Sequence, residues 1–179
     1  MVRKENIWVL DIVLRYLIAA LAFLIIPVFY LIFKPLTVGL TSWIMDIFYS
    51  VQVSGGTLFF SGFNASIEIV DACVAGSAYF LLFLLNVLTR DIKIMKRIYV
   101  LLFSFAYLFL INVIRLVIII PMFLNNSAWF DFTHKFFWFA LSVIFVALIW
   151  ILAIKVFRIR EVPVYSDVAF IFHKLEKQH

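Results

Sequence analysis

The sequence has little charge and only one cysteine. Charged residues make up 14% of its 179 positions, against about 25% in a typical soluble domain. So apolar a composition excludes intrinsic disorder, which requires a polar and charged chain. A single cysteine cannot form an intrachain bridge, which excludes a secreted scaffold held together by disulfides.

Apolar residues, in contrast, are abundant. They account for 66% of the chain, and 22 positions are Phe. A soluble fold of this size cannot bury that much apolar surface, so the composition predicts an integral membrane protein. The formal net charge of +5 fits loops that face a cytoplasm, and no nucleic-acid partner is expected.

Four stretches contain about 20 mostly apolar residues, the length that a spanning helix needs. We therefore predict an all-α polytopic membrane protein with about four transmembrane helices, at about 8–33, 72–89, 98–124 and 136–154. Residues 1–160 form a single transmembrane domain on this interpretation, and residues 161–179 form a cytoplasmic tail.

The segment between the first two predicted spans has two parts. Residues 36–50 are apolar but short, which is typical of an interfacial or re-entrant helix on the outer face. The runs at 57–60 and 66–70 follow glycine-containing turns, and the second alternates polar and apolar residues. These two runs predict a small β-hairpin that leads into the second span.

Basic residues orient the predicted spans. They crowd the segment 90–97, precede the first span at Arg3 and Lys4, and follow the last span from Lys155 onward. The other side carries only Lys34 and Lys135. The positive-inside rule then places both termini in the cytoplasm of a multi-pass cell-membrane protein.

The third predicted span contains Asn112 and Arg115, at i, i+3 spacing. This spacing places both side chains on one helical face. An ionisable residue within a span is by default a candidate for function. The alternative is an arginine that extends to the outer headgroups while Asn112 bonds a neighbouring helix.

Three residues with chemical potential lie at a similar predicted depth. Counted at 1.5 Å per residue from the cytoplasmic basic residues, Cys73, Arg115 and His134 lie about 25, 27 and 31 Å up their spans. They come from three different spans and reach the outer boundary of a core about 30 Å thick. A site built between helices of a bundle is assembled in this way.

These residue types are suited to acyl transfer through a thioester. A thiolate is a strong nucleophile, a histidine can accept and return a proton, and a guanidinium can stabilise an oxyanion. Asp131 lies three residues before His134 and either orients the imidazole or caps a helix. One Cys and one His are too few ligands for a catalytic zinc, so neither a metal nor a cofactor is predicted.

The same residues resemble the motifs of the exosortase and archaeosortase family. Residues 68–76 (EIVDACVAG) resemble its cysteine motif, Asn112-Val113-Ile114-Arg115 resembles its Asn-x-x-Arg motif, and His134 is similar to its third motif. The order of the motifs and their placement on successive spans agree as well. The resemblance covers roughly residues 50–155 and suggests a compact archaeal-type member.

The resemblance implies a membrane-embedded cysteine transpeptidase. The expected partner is the C-terminal signal of an exported protein: a short motif, a transmembrane helix and a basic end. Cys73 would be the nucleophile, Arg115 the oxyanion or substrate arginine, and His134 the general acid/base, with Asn112 and Asp131 in support. The acceptor would be a membrane lipid or another nucleophile.

Two other functions remain open on the sequence. A non-enzymatic membrane scaffold or small transporter would use the polar residues to hold helices together or line a path. An intramembrane hydrolase would use water as acceptor, with Cys73 or the pair Ser77 and His134 in its site.

Overall fold

The computed structural model describes residues 5–89 and 92–159, and helices make up 75% of it. Seven α-helices and three strands follow one another along these residues. The helices are α1 (Glu5–Leu21), α2 (Ile26–Asp46), α3 (Asp71–Val74), α4 (Gly76–Leu88), α5 (Ile94–Leu124), α6 (Phe130–Phe139) and α7 (Val146–Val156). The strands are β1 (Val51–Ser54), β2 (Thr57–Phe60) and β3 (Ala65–Glu68).

The N-terminal helical stretch is longer than the first predicted span. A short 3-10 turn joins α1 to α2, and α2 continues through Pro35 to Asp46. The prediction of a helix end at Lys34-Pro35, followed by a separate interfacial helix at 36–50, is therefore wrong. Proline removes only one backbone N–H, and apolar helices that pack against neighbours tolerate that loss.

The second predicted span is not one continuous helix. The single turn of α3 ends at Ala75, whose φ of 60° and ψ of 38° are left-handed, and α4 starts at Gly76. With 13 residues, α4 is about 20 Å long, which is less than the hydrocarbon core. The prediction of an unbroken helix over 72–89 is therefore wrong.

The C-terminal half contains one long helix and one bent pair. The third predicted span lies within α5, which has 31 residues. The fourth begins earlier than predicted, because α6 starts at Phe130. A π-helical segment joins α6 to α7, and the pair is bent by 42°.

Two helical stretches, Val13–Asp46 and Ile94–Leu124, are long and apolar enough to cross a membrane. The bent pair of α6 and α7 makes a third if it counts as one span. The predicted tail at 161–179 lies outside the described residues, as does Arg90 of the predicted cytoplasmic loop.

The strands form an antiparallel sheet in the order β1-β2-β3. The sheet contains the hairpin of β2 and β3 and adds β1, which joins β2 through Gly55 and Gly56, both at positive φ. The buried side chains of Leu58 and Phe60 pack into a cluster with residues of α2, α3 and α5. This packing holds the sheet beside the start of α3.

Aromatic rings fill the space between α2, α4 and α5. Tyr79 is fully buried, stacks on Phe33 at 3.7 Å between ring centroids and meets Phe105 edge to face at 5.5 Å. One turn earlier, the ring of Tyr30 lies against Gly76 so closely that a Cβ there would collide with it. These contacts fix the broken segment 71–88 against α2.

Candidate active site

Cys73 lies in the single turn of α3, immediately before the break in the chain. Its N–H donates to Val70 O at 2.8 Å, and its side chain is half-buried. Because Ala75 leaves the helical conformation, the carbonyls of Cys73 and Val74 lose the intrahelical partners that a continuing helix would supply. A buried carbonyl in that position needs another donor.

The Asn-x-x-Arg face of α5 supplies those donors. Asn112 Nδ2 donates to Cys73 O at 2.9 Å and to Val74 O at 3.4 Å, and Arg115 Nη2 donates to Cys73 O at 2.9 Å. Both side chains are buried, with exposures of 0% for Asn112 and 4% for Arg115. The predicted polar face therefore holds the backbone of Cys73.

Two polar atoms of this face have no partner among the described residues: Arg115 Nε and Asn112 Oδ1. A buried polar atom without a hydrogen bond costs about 1–3 kcal/mol. The guanidinium thus binds the carbonyl of Cys73 with only part of its donor set.

Cys73, Arg115 and His134 line one cavity of about 280 Å³. They come from α3, α5 and α6. The remaining walls of the cavity are mostly apolar and come from the same helices and from the chain around β3. They are formed by Ser66, Ile67, Glu68, Val70, Leu116, Ile119, Ile120, Phe123 and Phe130. The three residues with predicted chemical roles therefore share one space.

His134 is on α6 rather than before the fourth helix. Its side chain is exposed, and its ring meets that of Phe130 edge to face at 5.5 Å. In the described part of the chain no hydrogen bond joins it to Asp131, which lies in the first turn of α6 and lines an adjoining cavity. The orienting role of Asp131 stays a prediction.

Ser77, the alternative nucleophile, is exposed on α4 and, within the described residues, is not part of the wall of this cavity. Within 5–89 and 92–159, no three His, Cys, Asp or Glu side chains are grouped as a metal site. His173 and His179 lie outside those ranges.

Sequence reasoning missed two residues beside the site. Lys34 was interpreted as a flanking charge, but its Nζ lies 2.8 Å from Asp71 Oδ1 in the first turn of α3. Glu68 was quoted in the cysteine motif without a role, and it lies on the cavity wall. Lys34 stands within an apolar stretch, where a charged side chain needs an oppositely charged or polar partner. That requirement could have identified Lys34 from the sequence.

No family model, curated protein or solved structure matches the chain.

Proposed function

We propose that the protein is a membrane-embedded cysteine transpeptidase that cleaves a C-terminal sorting signal of exported proteins. One observation carries the proposal: Cys73, Arg115 and His134, from three separate helices, line the same cavity. The resemblance of the three motifs to exosortases and archaeosortases supplies the substrate class.

The proposed reaction starts at the thiol of Cys73. His134 accepts the thiol proton, and the sulfur attacks a carbonyl of the substrate backbone. The free donors of Arg115 stabilise the oxyanion of the tetrahedral intermediate. The C–N bond then breaks, the amine leaves with the proton from His134, and a thioester remains on Cys73.

A second nucleophile completes the reaction. The hydroxyl or amine of an acceptor attacks the thioester, gives its proton to His134 and releases the thiolate, which regains a proton. A lipid acceptor makes the reaction a transfer, and water makes it a hydrolysis. The apolar walls of the cavity favour an acceptor dissolved in the membrane over bulk water.

We also propose that both termini are cytoplasmic and that the cavity opens at the outer face. The distribution of basic residues supports this orientation. Cysteines placed in 56–66 and 125–131 of a Cys73→Ala protein should react with an impermeant thiol reagent on intact cells. A cysteine at position 93 should not react, and its labelling would contradict this orientation.

The test of the reaction uses a tail-bearing reporter. It joins a secreted domain to the C-terminus of an exported protein of the same genome, with a short motif, an apolar helix and a basic end. The native protein should process the reporter, and mass spectrometry should find a hydroxylamine-sensitive adduct on Cys73. Cys73→Ser and Cys73→Ala should leave the reporter unprocessed, because a serine hydroxyl is far less ionised than a thiol.

Matched variants separate this proposal from its alternatives. Ser77→Ala should process the reporter at the native rate, and its failure would favour a serine hydrolase. Full processing by Cys73→Ala would overturn the thioester route. A protein whose cellular role survives Cys73→Ser without any processing would be a scaffold or transporter.

A further inference from the structure

Among the described residues, β3 is the last strand of the sheet, and one of its edges has no partner strand. In the described chain it pairs with β2 alone, in the order β1-β2-β3. Just beyond β3, Ile69 N–H donates to Gly56 O at 3.1 Å, on the side of β2. Backbone groups alternate in direction along a strand, so those of Ser66 and Glu68 are directed away from β2.

This open edge forms part of the wall of the candidate active site. Ser66, Ile67 and Glu68 line the same cavity as Cys73, and the chain runs from Glu68 through Val70 into α3. The side chains of Ser66 and Glu68 are exposed. An open edge is costly for a protein to maintain, because its unpaired N–H and C=O groups invite another strand.

We propose that an extended segment of the substrate polypeptide pairs with β3 as a fourth strand and so presents its scissile carbonyl to Cys73. This inference rests on the proposed function and adds its mode of substrate recognition. The substrate backbone would bind the outward N–H and C=O groups of Ser66 and Glu68. Recognition by strand addition obtains affinity from the backbone and specificity from pockets for alternate side chains.

The cavity favours a peptide over a folded partner. Its volume of about 280 Å³ is close to the smallest ligand pockets, near 300 Å³. Ile67, Ile119 and Phe130 give it apolar walls that suit one or two side chains of an extended chain. A row of alternating N–H and C=O groups at strand spacing is matched best by another strand.

Proline variants test the pairing. Ser66→Pro and Glu68→Pro each remove an outward N–H and leave the bonds of β3 to β2 in place. Val53→Pro is the matched control, since β1 is the opposite edge strand and Val53 is 49% exposed and outside the cavity wall. We expect both β3 variants to process the tail-bearing reporter about tenfold more slowly, and Val53→Pro to stay within about twofold of native.

Alkylation of Cys73 by a small maleimide serves as a readout that requires no peptide. Its rate should match the native rate in all three proline variants, which shows an intact site. Native processing by both β3 variants would overturn strand pairing while leaving the thioester route standing. Processing by Cys73→Ala would overturn the thioester route instead.

Cross-linking keeps the proposal testable if a proline variant does not fold. A photoreactive p-benzoylphenylalanine placed at position 66 of Cys73→Ala should capture the reporter through the segment next to its cleavage point. The same group at position 53 should not capture it. Equal capture from both positions would overturn the proposal, as would cross-linking between two copies of this chain in place of the reporter.

Discussion

The two ends of segment 71–89 are each bound by an arginine of α5, in different ways. At the C-terminal end of the segment, Arg97 donates to three backbone carbonyls: those of Asn86, of Val87 (3.1 Å) and of Thr89 (3.0 Å). Asn86 Nδ2 donates back to Arg97 O at 3.2 Å. This is a helix C-cap, in which an arginine satisfies the last carbonyls of α4.

At the N-terminal end of the segment, Arg115 donates to one carbonyl, that of Cys73, which also accepts a hydrogen bond from Asn112. Its Nε has no partner among the described residues, and the side chain lines a cavity. Arg97 thus donates to three backbone carbonyls, whereas Arg115 donates to one and leaves its Nε unpaired among the described residues. The difference separates an arginine that closes a helix from one whose side chain also lines a cavity.

The largest effect should come from replacing the two arginines by lysine. Lysine keeps the charge and loses the planar fork, so Arg115→Lys should slow reporter processing by about 100-fold or more, nearly as much as Arg115→Ala. Arg97→Lys should lower the free energy of unfolding by about 1–3 kcal/mol and leave processing by the folded protein near native. Reporter cleavage and thermal unfolding in detergent measure the two effects.

If Arg115→Lys restores most of the processing, charge alone suffices and the oriented donors of Arg115 have no role in the reaction. If Arg97→Lys slows processing as strongly as Arg115→Lys does, the two ends do not differ in the way their contacts indicate.

Asn112 and Asn86 make hydrogen bonds at the same two ends of segment 71–89 and offer a second pair of substitutions. Asn112→Ala removes the two bonds that its amide donates to the carbonyls of Cys73 and Val74, so the proposed nucleophile should shift and processing should fall about tenfold or more. Asn86→Ala should lower thermal stability with little change in processing. Equal loss of processing in both variants, measured on protein of equal monodispersity, would contradict the expected difference between the two ends of the segment.

Much of the site was predictable because its residue types are rare in a membrane span. A cysteine, an arginine within an apolar stretch and a histidine at one predicted depth indicated a shared site, and the structure places all three on one cavity. The depth count assumed straight helices, which α3–α4 and α6–α7 are not. Both irregularities lie within a few turns of residues that line the cavity, so the depths counted along straight helices stay a prediction.

Other features could not be read from the pattern. Pro35 predicted a helix end, yet α2 continues because packing against α4 and α5 compensates for one missing hydrogen bond. The break at Ala75 had no glycine at the left-handed position to mark it; the glycine follows at 76. The capping of Cys73 O by Asn112 and Arg115 depends on a contact between residues far apart in sequence, which composition and periodicity do not encode.

A substitution at Gly76 tests the N-terminal end of segment 71–89 through the stability of the protein rather than through the reaction. A Cβ at this position would collide with the ring of Tyr30, so Gly76→Ala should cost about 1–3 kcal/mol. Gly39→Ala on α2 is the control, because nothing lies within 4 Å of its Cβ position and the helix gains up to about 1 kcal/mol. A Tm that Gly76→Ala leaves unchanged or raises would show that the Tyr30 contact is not a tight one.

The smallest expected effect concerns the break itself, at Ala75. A left-handed φ of 60° costs an alanine about 1 kcal/mol, and glycine relieves that cost. Ala75→Gly should therefore raise the free energy of unfolding by up to about 1 kcal/mol. Ala78→Gly, in the right-handed turn that follows on α4, should lower it by about 1 kcal/mol or more, since glycine is a poor helix former and Ala78 is buried. The two substitutions are identical in chemistry and three residues apart, and a Tm raised by Ala75→Gly is explained by the left-handed conformation of residue 75. A Tm lowered by both would mean that segment 71–88 folds as a continuous helix, and the carbonyl of Cys73 would then have no need of Asn112 and Arg115.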